Sequence, residues 1–176
     1  MNAFVTKSDL DAFKYVADSV KNAASWVQFV SEAQLLDVKH WLGDALLNEI
    51  DEQLTSSPES LSAANELLLS GGKYTYQSKT YIFQGLKAAI IYYAFSRFTS
   101  RTPYNYTQQG ITVKESDFSA PASDKALQRL TTEALLTATS IKEETQLFLR
   151  RNSADYPLFK CSSSNGRPRT FYVIGD

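Results

Sequence analysis

The stretch 84–99 constrains the fold more than any other part of the sequence. Its aliphatic and aromatic side chains recur at helical spacing, and at about 100° per residue they cover most of the helix circumference. Only a narrow wedge, which carries Lys87, Arg97 and Arg101, is charged. Because a helix that is apolar almost all round must be buried almost all round, the pattern predicts the central helix of a bundle or of an assembly.

The same helical spacing of apolar residues continues on both sides of this stretch. It predicts further helices over about 9–21, 25–54, 58–70 and 124–151. Each has a residue placed to cap its first turn, namely Ser8, Ser25, Ser57 and either Ser123 or Asp124. Gly43 interrupts the longest of them and predicts either a bend or the close approach of another backbone. The predicted fold class is therefore mainly α, a helical bundle of about four to five helices.

Two connections and the C-terminal part depart from helical periodicity. Residues 74–83 follow a helix ended by Gly71, and they fit either a small hairpin or an extended loop with aromatic anchors. The connection 102–122 is long, and its segment "ITVKESDF" fits a strand or one arm of a hairpin. From residue 153 the sequence runs through "YPLFK", the polar "CSSSNGRPR" and the β-prone "TFYVIGD". We expect a bundle domain over 1–152 and an extended docking tail over 153–176.

Composition argues against several classes of function. The formal net charge of -1 leaves no basic excess with which to hold duplex DNA. Cys161 is the only cysteine and His40 the only histidine, so neither a disulfide scaffold nor a Cys/His zinc site is expected. His40 lies on an apolar stripe, which favours a packing histidine over a catalytic base. The longest apolar run is far shorter than the ~20 residues that cross a bilayer. We expect no enzyme activity, cofactor, metal or membrane partner.

The charged wedge of the central helix has two interpretations. Lys87, Arg97 and Arg101 can form salt bridges to acidic helices of the same chain, which is the simpler explanation. They can also contact an acidic face of a neighbouring subunit, because they lie on the one uncovered edge of the helix. The sequence leaves both open. Tyr92 and Tyr93, on the same helix, are more typical of core packing than of a ligand cage.

The order of three motifs resembles a known family. These motifs are "GLKAAIIYYAFSRF", then "NYTQQGITVKESDFSAP", then a long helix that ends before "DYPLF". Together they cover about half of the chain, residues 85–159. They are similar to the head-tail connector proteins of tailed bacteriophages, also called adaptor or neck proteins, in the form found in phages and prophages of Bacteroidetes.

The resemblance implies a structural, non-enzymatic protein of the virion neck, made in the host cytoplasm. Proteins of this family form homo-oligomeric rings, commonly of about twelve subunits, beneath the portal protein. They join further neck or tail proteins and line a channel through which DNA passes non-specifically. Carried over to this chain, the portal-docking residues are Pro157, Leu158, Phe159, Arg167, Arg169, Phe171, Tyr172, Val173 and Ile174. The inter-subunit contacts are Lys87, Arg97 and Arg101 with Tyr104, Tyr106, Ile111, Val113 and Phe118 of the loop 104–118.

Two other functions remain as alternatives. A cytoplasmic helical adaptor or regulatory domain would bind a peptide or small ligand in a groove lined by the aromatic helix. A small enzyme would have to use His40, the only histidine. The first alternative predicts saturable ligand binding by a monomer, and the second predicts that a His40→Ala variant loses activity.

Overall fold

The structure is a computed structural model that describes residues 3–13, 24–56, 61–101, 104–107, 110–113 and 123–159. The fold is mainly α, as the sequence predicts. Its helical elements are α1 (Lys7–Phe13), α2 (Ala24–Glu32), a π-helical segment (Ala33–Val38), α3 (Lys39–Leu42), α4 (Asp44–Ser56), α5 (Ala63–Ser70), α6 (Leu86–Arg101) and α7 (Asp124–Arg151). Two antiparallel hairpins pair β1 (Gly72–Tyr76) with β2 (Lys79–Phe83), and β3 (Tyr104–Thr107) with β4 (Gly110–Val113).

Helix α6 is the buried axis that its apolar circumference predicts. Nine of its residues are buried, from Leu86 to Thr99. The Thr99 hydroxyl shares a 2.9 Å hydrogen bond with the Thr131 hydroxyl of α7. Arg97 and Arg101 stand two residues to either side of Thr99, about 200° around the helix, and bind side chains of α2 and the π-helical segment. Helix α7 and the layer of α2 with the π-helical segment therefore cover different sides of α6, and Asp37 and Leu135 line a common cleft between these layers.

The predicted helix over 25–54 is divided into several elements. It begins no later than Ala24, so Ser25 lies inside α2 and is not the residue before it. The π-helical segment then shifts the register, and Gly43 ends α3 with a φ of 91°. A Cβ on Gly43 would meet no heavy atom within 4 Å, so the glycine marks a bend and not a close approach of backbones.

Helix caps fall close to the predicted residues but not always on them. Thr6, and not Ser8, caps α1: its backbone N–H donates to Asp9 Oδ2 at 2.7 Å, and the Asp9 N–H donates to its hydroxyl at 3.3 Å. This reciprocal pair is a capping box. Ser123 accepts from the Ala126 N–H as predicted. Ser62 caps α5. The predicted cap Ser57 and the predicted part of the first helix beyond Phe13 lie outside the described residues.

Residues 74–83 form the hairpin, the first of the two alternatives. Its turn places Gln77 and Ser78 at positive φ, the conformation that a two-residue hairpin turn requires. Gly71 precedes it with a φ of 74°, and a Cβ there would lie 2.4 Å from the Gln84 carbonyl carbon. Both the dihedral angle and the contact therefore require glycine at the entry to the hairpin.

An aromatic cluster ties this hairpin to the end of α7. Phe148 of α7 stacks on Phe83 with ring centroids 4.1 Å apart. It also forms T-shaped pairs with Tyr74 and Tyr156, at centroid distances of 5.0 Å and 5.5 Å. Tyr156 is buried, and its hydroxyl donates to the Ala64 carbonyl of α5. Burial raises the pKa of the Tyr156 phenol far above its usual range. The hydrophobic core thus continues past residue 152, where the sequence places the end of the bundle.

Candidate assembly surfaces

The charged wedge of α6 is paired within the chain. Arg97 donates two hydrogen bonds from Nη2 and one from Nε to the Asp37 carboxylate, at 2.8 to 3.0 Å. Arg101 Nη1 lies 2.7 Å from Glu32 Oε2, and Lys87 Nζ lies 2.9 Å from Asp9 Oδ1. The intramolecular interpretation of the wedge is therefore confirmed for all three cations. Their contact with a neighbouring subunit stays a prediction, and it is sterically easiest for Arg101, whose side chain is 41% exposed against 20% for Arg97.

The Asp9 carboxylate shows how these pairs are held. Burial by itself would raise its pKa, because a desolvated carboxylate disfavours the charge. The hydrogen bond from the Thr6 backbone and the ammonium of Lys87 outweigh that effect, so the pKa of Asp9 lies below its usual value. The same carboxylate thus caps α1 and ties it to α6, which fixes the N-terminal helix against the axis of the bundle.

The loop predicted to contact neighbouring subunits is in part the second hairpin. Its register pairs Tyr104 with Val113 and Tyr106 with Ile111, so four of the five predicted loop residues lie opposite one another on β3 and β4. The fifth, Phe118, lies outside the described residues. The hairpin follows the C-terminal end of α6 directly in the chain, next to the Arg101 end of the wedge.

The predicted docking tail starts on the surface of the core. Pro157 and Leu158 are exposed, whereas Phe159 is half-buried and packs against the core cluster. Phe159 is therefore an anchor of the bundle as well as the start of the predicted tail. The remaining tail residues of the prediction lie outside the described part of the chain, namely Arg167, Arg169, Phe171, Tyr172, Val173 and Ile174.

Exposed apolar side chains stand on both outer layers of the molecule. Val27, Leu35 and Leu36 lie on α2 and the π-helical segment, and Leu36 is 62% exposed. The other layer, α7, exposes Leu130, Leu135, Leu136 and Leu147. These residues are absent from the predicted site, although the sequence carries a signal for those on α7, because Leu136 and Leu147 recur on the helix face opposite its buried stripe.

Four observations on the described residues bear on the enzyme, ligand-binding and membrane interpretations. His40 is exposed, so the prediction that it packs in the core is wrong. Within the described ranges, no group of three or more His, Cys, Asp or Glu side chains has the geometry of a metal site. A cleft of about 350 Å³ lies between α6 and α7, and its described lining is rich in hydroxyls and not in aromatic rings. None of the described helices combines the length and the hydropathy that a membrane crossing requires.

The comparison with protein families gives one match. The model of a family of unknown function, DUF6712, matches residues 38–169, about three quarters of the chain. The matched range begins in the π-helical segment and includes α6, both hairpins and α7, so it contains the central helix and the predicted loop. No curated protein and no solved structure matches the chain.

Proposed function

The chain belongs to the family DUF6712, whose function is unknown. From the resemblance of its sequence motifs and from the surfaces of the fold, we propose that it is a structural head-tail connector protein of a tailed bacteriophage. In this proposal, copies of the chain form a ring under the portal, join the capsid to the tail and line the DNA channel of the virion neck. Its partners are the portal protein, further copies of itself and the next neck or tail proteins. DNA passes without specific contact, and the chain performs no catalysis.

The observation that carries the proposal is the placement of exposed apolar side chains on two outer layers, α2 with the π-helical segment and α7. A ring requires a head-to-tail interface, in which one surface of each copy meets a different surface of the next. Leu36 lies on the π-helical segment and Leu136 on α7, and these two elements contact α6 through different residues, Arg97 and Thr99. Exposed apolar patches on a folded chain commonly mark such contact surfaces.

The internal pairing of the wedge also supports an assembly role. Arg97 and Lys87 tie the π-helical segment and α1 to α6. Elements that are already held in place lose little conformational entropy on assembly. The near-neutral net charge of -1 suits a channel through which a polyanion must slide without being held.

Removal of the tail tests the docking part of the proposal. A chain truncated after Phe159 keeps Tyr156 and Phe159, which pack on the core, so it should fold with an unchanged helical circular dichroism spectrum. It should no longer bind purified portal protein in a pull-down, because an extended segment that adds a strand to a partner would be missing. Truncated protein that binds portal as well as the full chain would refute the tail assignment.

A second variant tests whether docking depends on the side chains of the tail or only on its length. Residues 160–176 are replaced by a Gly/Ser segment of equal length, which removes Arg167, Arg169 and the aromatic end but keeps the reach of the chain. This variant should behave like the truncated chain. Light scattering of the full chain with and without portal, together with the identity of the neighbouring genes, tests the ring. A chain that saturably binds a small ligand as a monomer and ignores portal would favour the alternative of a regulatory binding domain.

A further inference from the structure

The outer face of α7 carries a stripe of seven exposed residues whose spacing is symmetric. Outward from Leu136, they stand four, seven and eleven residues away in each direction, all within one face of the helix. In chain order they are Lys125, Arg129, Thr132, Leu136, Ser140, Glu143 and Leu147. Leu136, at the centre, is 67% exposed and is the most exposed leucine of the helix. We call these seven residues the α7 stripe.

The side chains of the α7 stripe are complementary to those of a second, antiparallel copy of the same stripe. When a second copy of the helix lies antiparallel with Leu136 against Leu136, Arg129 of each copy falls opposite Glu143 of the other. The small side chains Thr132 and Ser140 then face each other and allow the helices to approach. The basic end of one stripe thus meets the acidic part of the other in two equivalent places, about 10 Å to either side of the centre.

The charges of the stripe are available for such a contact. In the described part of the chain, neither Arg129 nor Glu143 forms an ion pair with another side chain. Lys125 and Arg129 stand one turn apart with the same sign, which is unfavourable in an isolated helix. In the antiparallel pair, Glu143 of the other chain opposite Arg129 would relieve that repulsion, and Lys125 falls opposite Leu147.

We propose that two free copies of this chain pair through the α7 stripe, antiparallel, across a two-fold axis at Leu136. Such a contact is isologous and closes on itself, so it differs from the head-to-tail contacts of a ring. It occupies one of the two exposed apolar layers, and a paired chain therefore cannot use that layer for a ring neighbour at the same time. The pair does not depend on the connector function, because it follows from the surface of α7 alone.

Charge reversals test the pairing by analytical ultracentrifugation or by light scattering coupled to size exclusion. Arg129→Glu and Glu143→Arg should each weaken dimerisation by about tenfold or more, because each places two like-charged pairs across the axis. An equimolar mixture of the two variants should form 1:1 heterodimers, since both pairs are then opposite in sign. The double variant should dimerise again on its own. Leu136→Glu should abolish the dimer.

A matched control is Lys73→Glu, an exposed reversal on β1 away from the α7 stripe, which should leave the dimer intact. A wild-type chain that stays monomeric at its highest soluble concentration would overturn the pairing, as would single variants that still dimerise or a mixture that does not. If the wild type is monomeric but binds portal, the pair fails and the connector proposal stands. If the mixing result holds but portal is not bound, the pair stands and the connector proposal fails.

Discussion

Replacement of Phe148 by alanine tests whether the aromatic cluster, and not helix propensity, holds the C-terminal half of the bundle. Phe148 is 1% exposed and contacts Phe83, Tyr74 and Tyr156 with ring centroids 4.1 to 5.5 Å apart. Removal of a buried phenyl ring costs about 3–5 kcal/mol, through lost burial and the cavity left behind. The upper half of that range applies here, because aromatic pairs add about 0.5–1.5 kcal/mol each beyond the buried area.

The assay is equilibrium unfolding in urea, followed by the helical circular dichroism signal, with the slope of the transition compared between variants. Leu135→Ala is the control: it changes a residue of the same helix outside the α7 stripe, whose side chain is 42% exposed, and should cost less than about 1 kcal/mol. An unchanged slope with a large shift for Phe148→Ala supports the cluster. A cost below about 1.5 kcal/mol, comparable to the control, would refute the argument that these rings form the core.

Three further predictions concern single residues. In thermal unfolding, Gly71→Ala should destabilise the fold by at least about 2 kcal/mol, and by more than Gly43→Ala does. Both glycines have positive φ, but only at Gly71 would an added Cβ meet another backbone segment. Equal costs for the two variants would contradict this close approach. The pKa of Asp9 is depressed in the folded state, so its contribution to stability is complete above the unfolded pKa of about 3.9 and is lost as the pH falls through the folded pKa. In the Asp9→Asn variant, the free energy of unfolding should therefore depend less steeply on pH at acid pH than in the wild type. Arg97→Lys should cost about 1–2 kcal/mol in urea unfolding, since an ammonium cannot reproduce the bidentate bond to Asp37.

The local periodicity of apolar residues in the sequence was sufficient to predict the two longest helices, α6 and α7. The apolar circumference of 84–99 predicts a buried axis, and the structure buries α6 on both sides. Ser123 and the stripe that follows it likewise predict the start of α7. Both predictions work because a long helix repeats its signal over several turns, so that one exceptional residue does not hide the pattern.

Shorter features depended on contacts between distant segments. The Ser8 cap is displaced to Thr6, because Asp9 serves the cap and the ion pair with Lys87 at once, and that partner lies 78 residues away. His40 follows an apolar stripe in the sequence, but the π-helical segment before it shifts the register and leaves it exposed. Neither displacement has a local signature.

The sequence by itself determined the fold class, the buried axis and the hairpin-prone segments, because each depends on the spacing of neighbouring residues along one element. Only the tertiary structure decided which partners the wedge of Lys87, Arg97 and Arg101 takes and which leucines remain outside the core. Those outcomes depend on which helices flank α6, and the apolar periodicity of one helix does not specify which element packs against it. The two outer layers that carry the proposed contacts exist only because different elements cover different sides of α6.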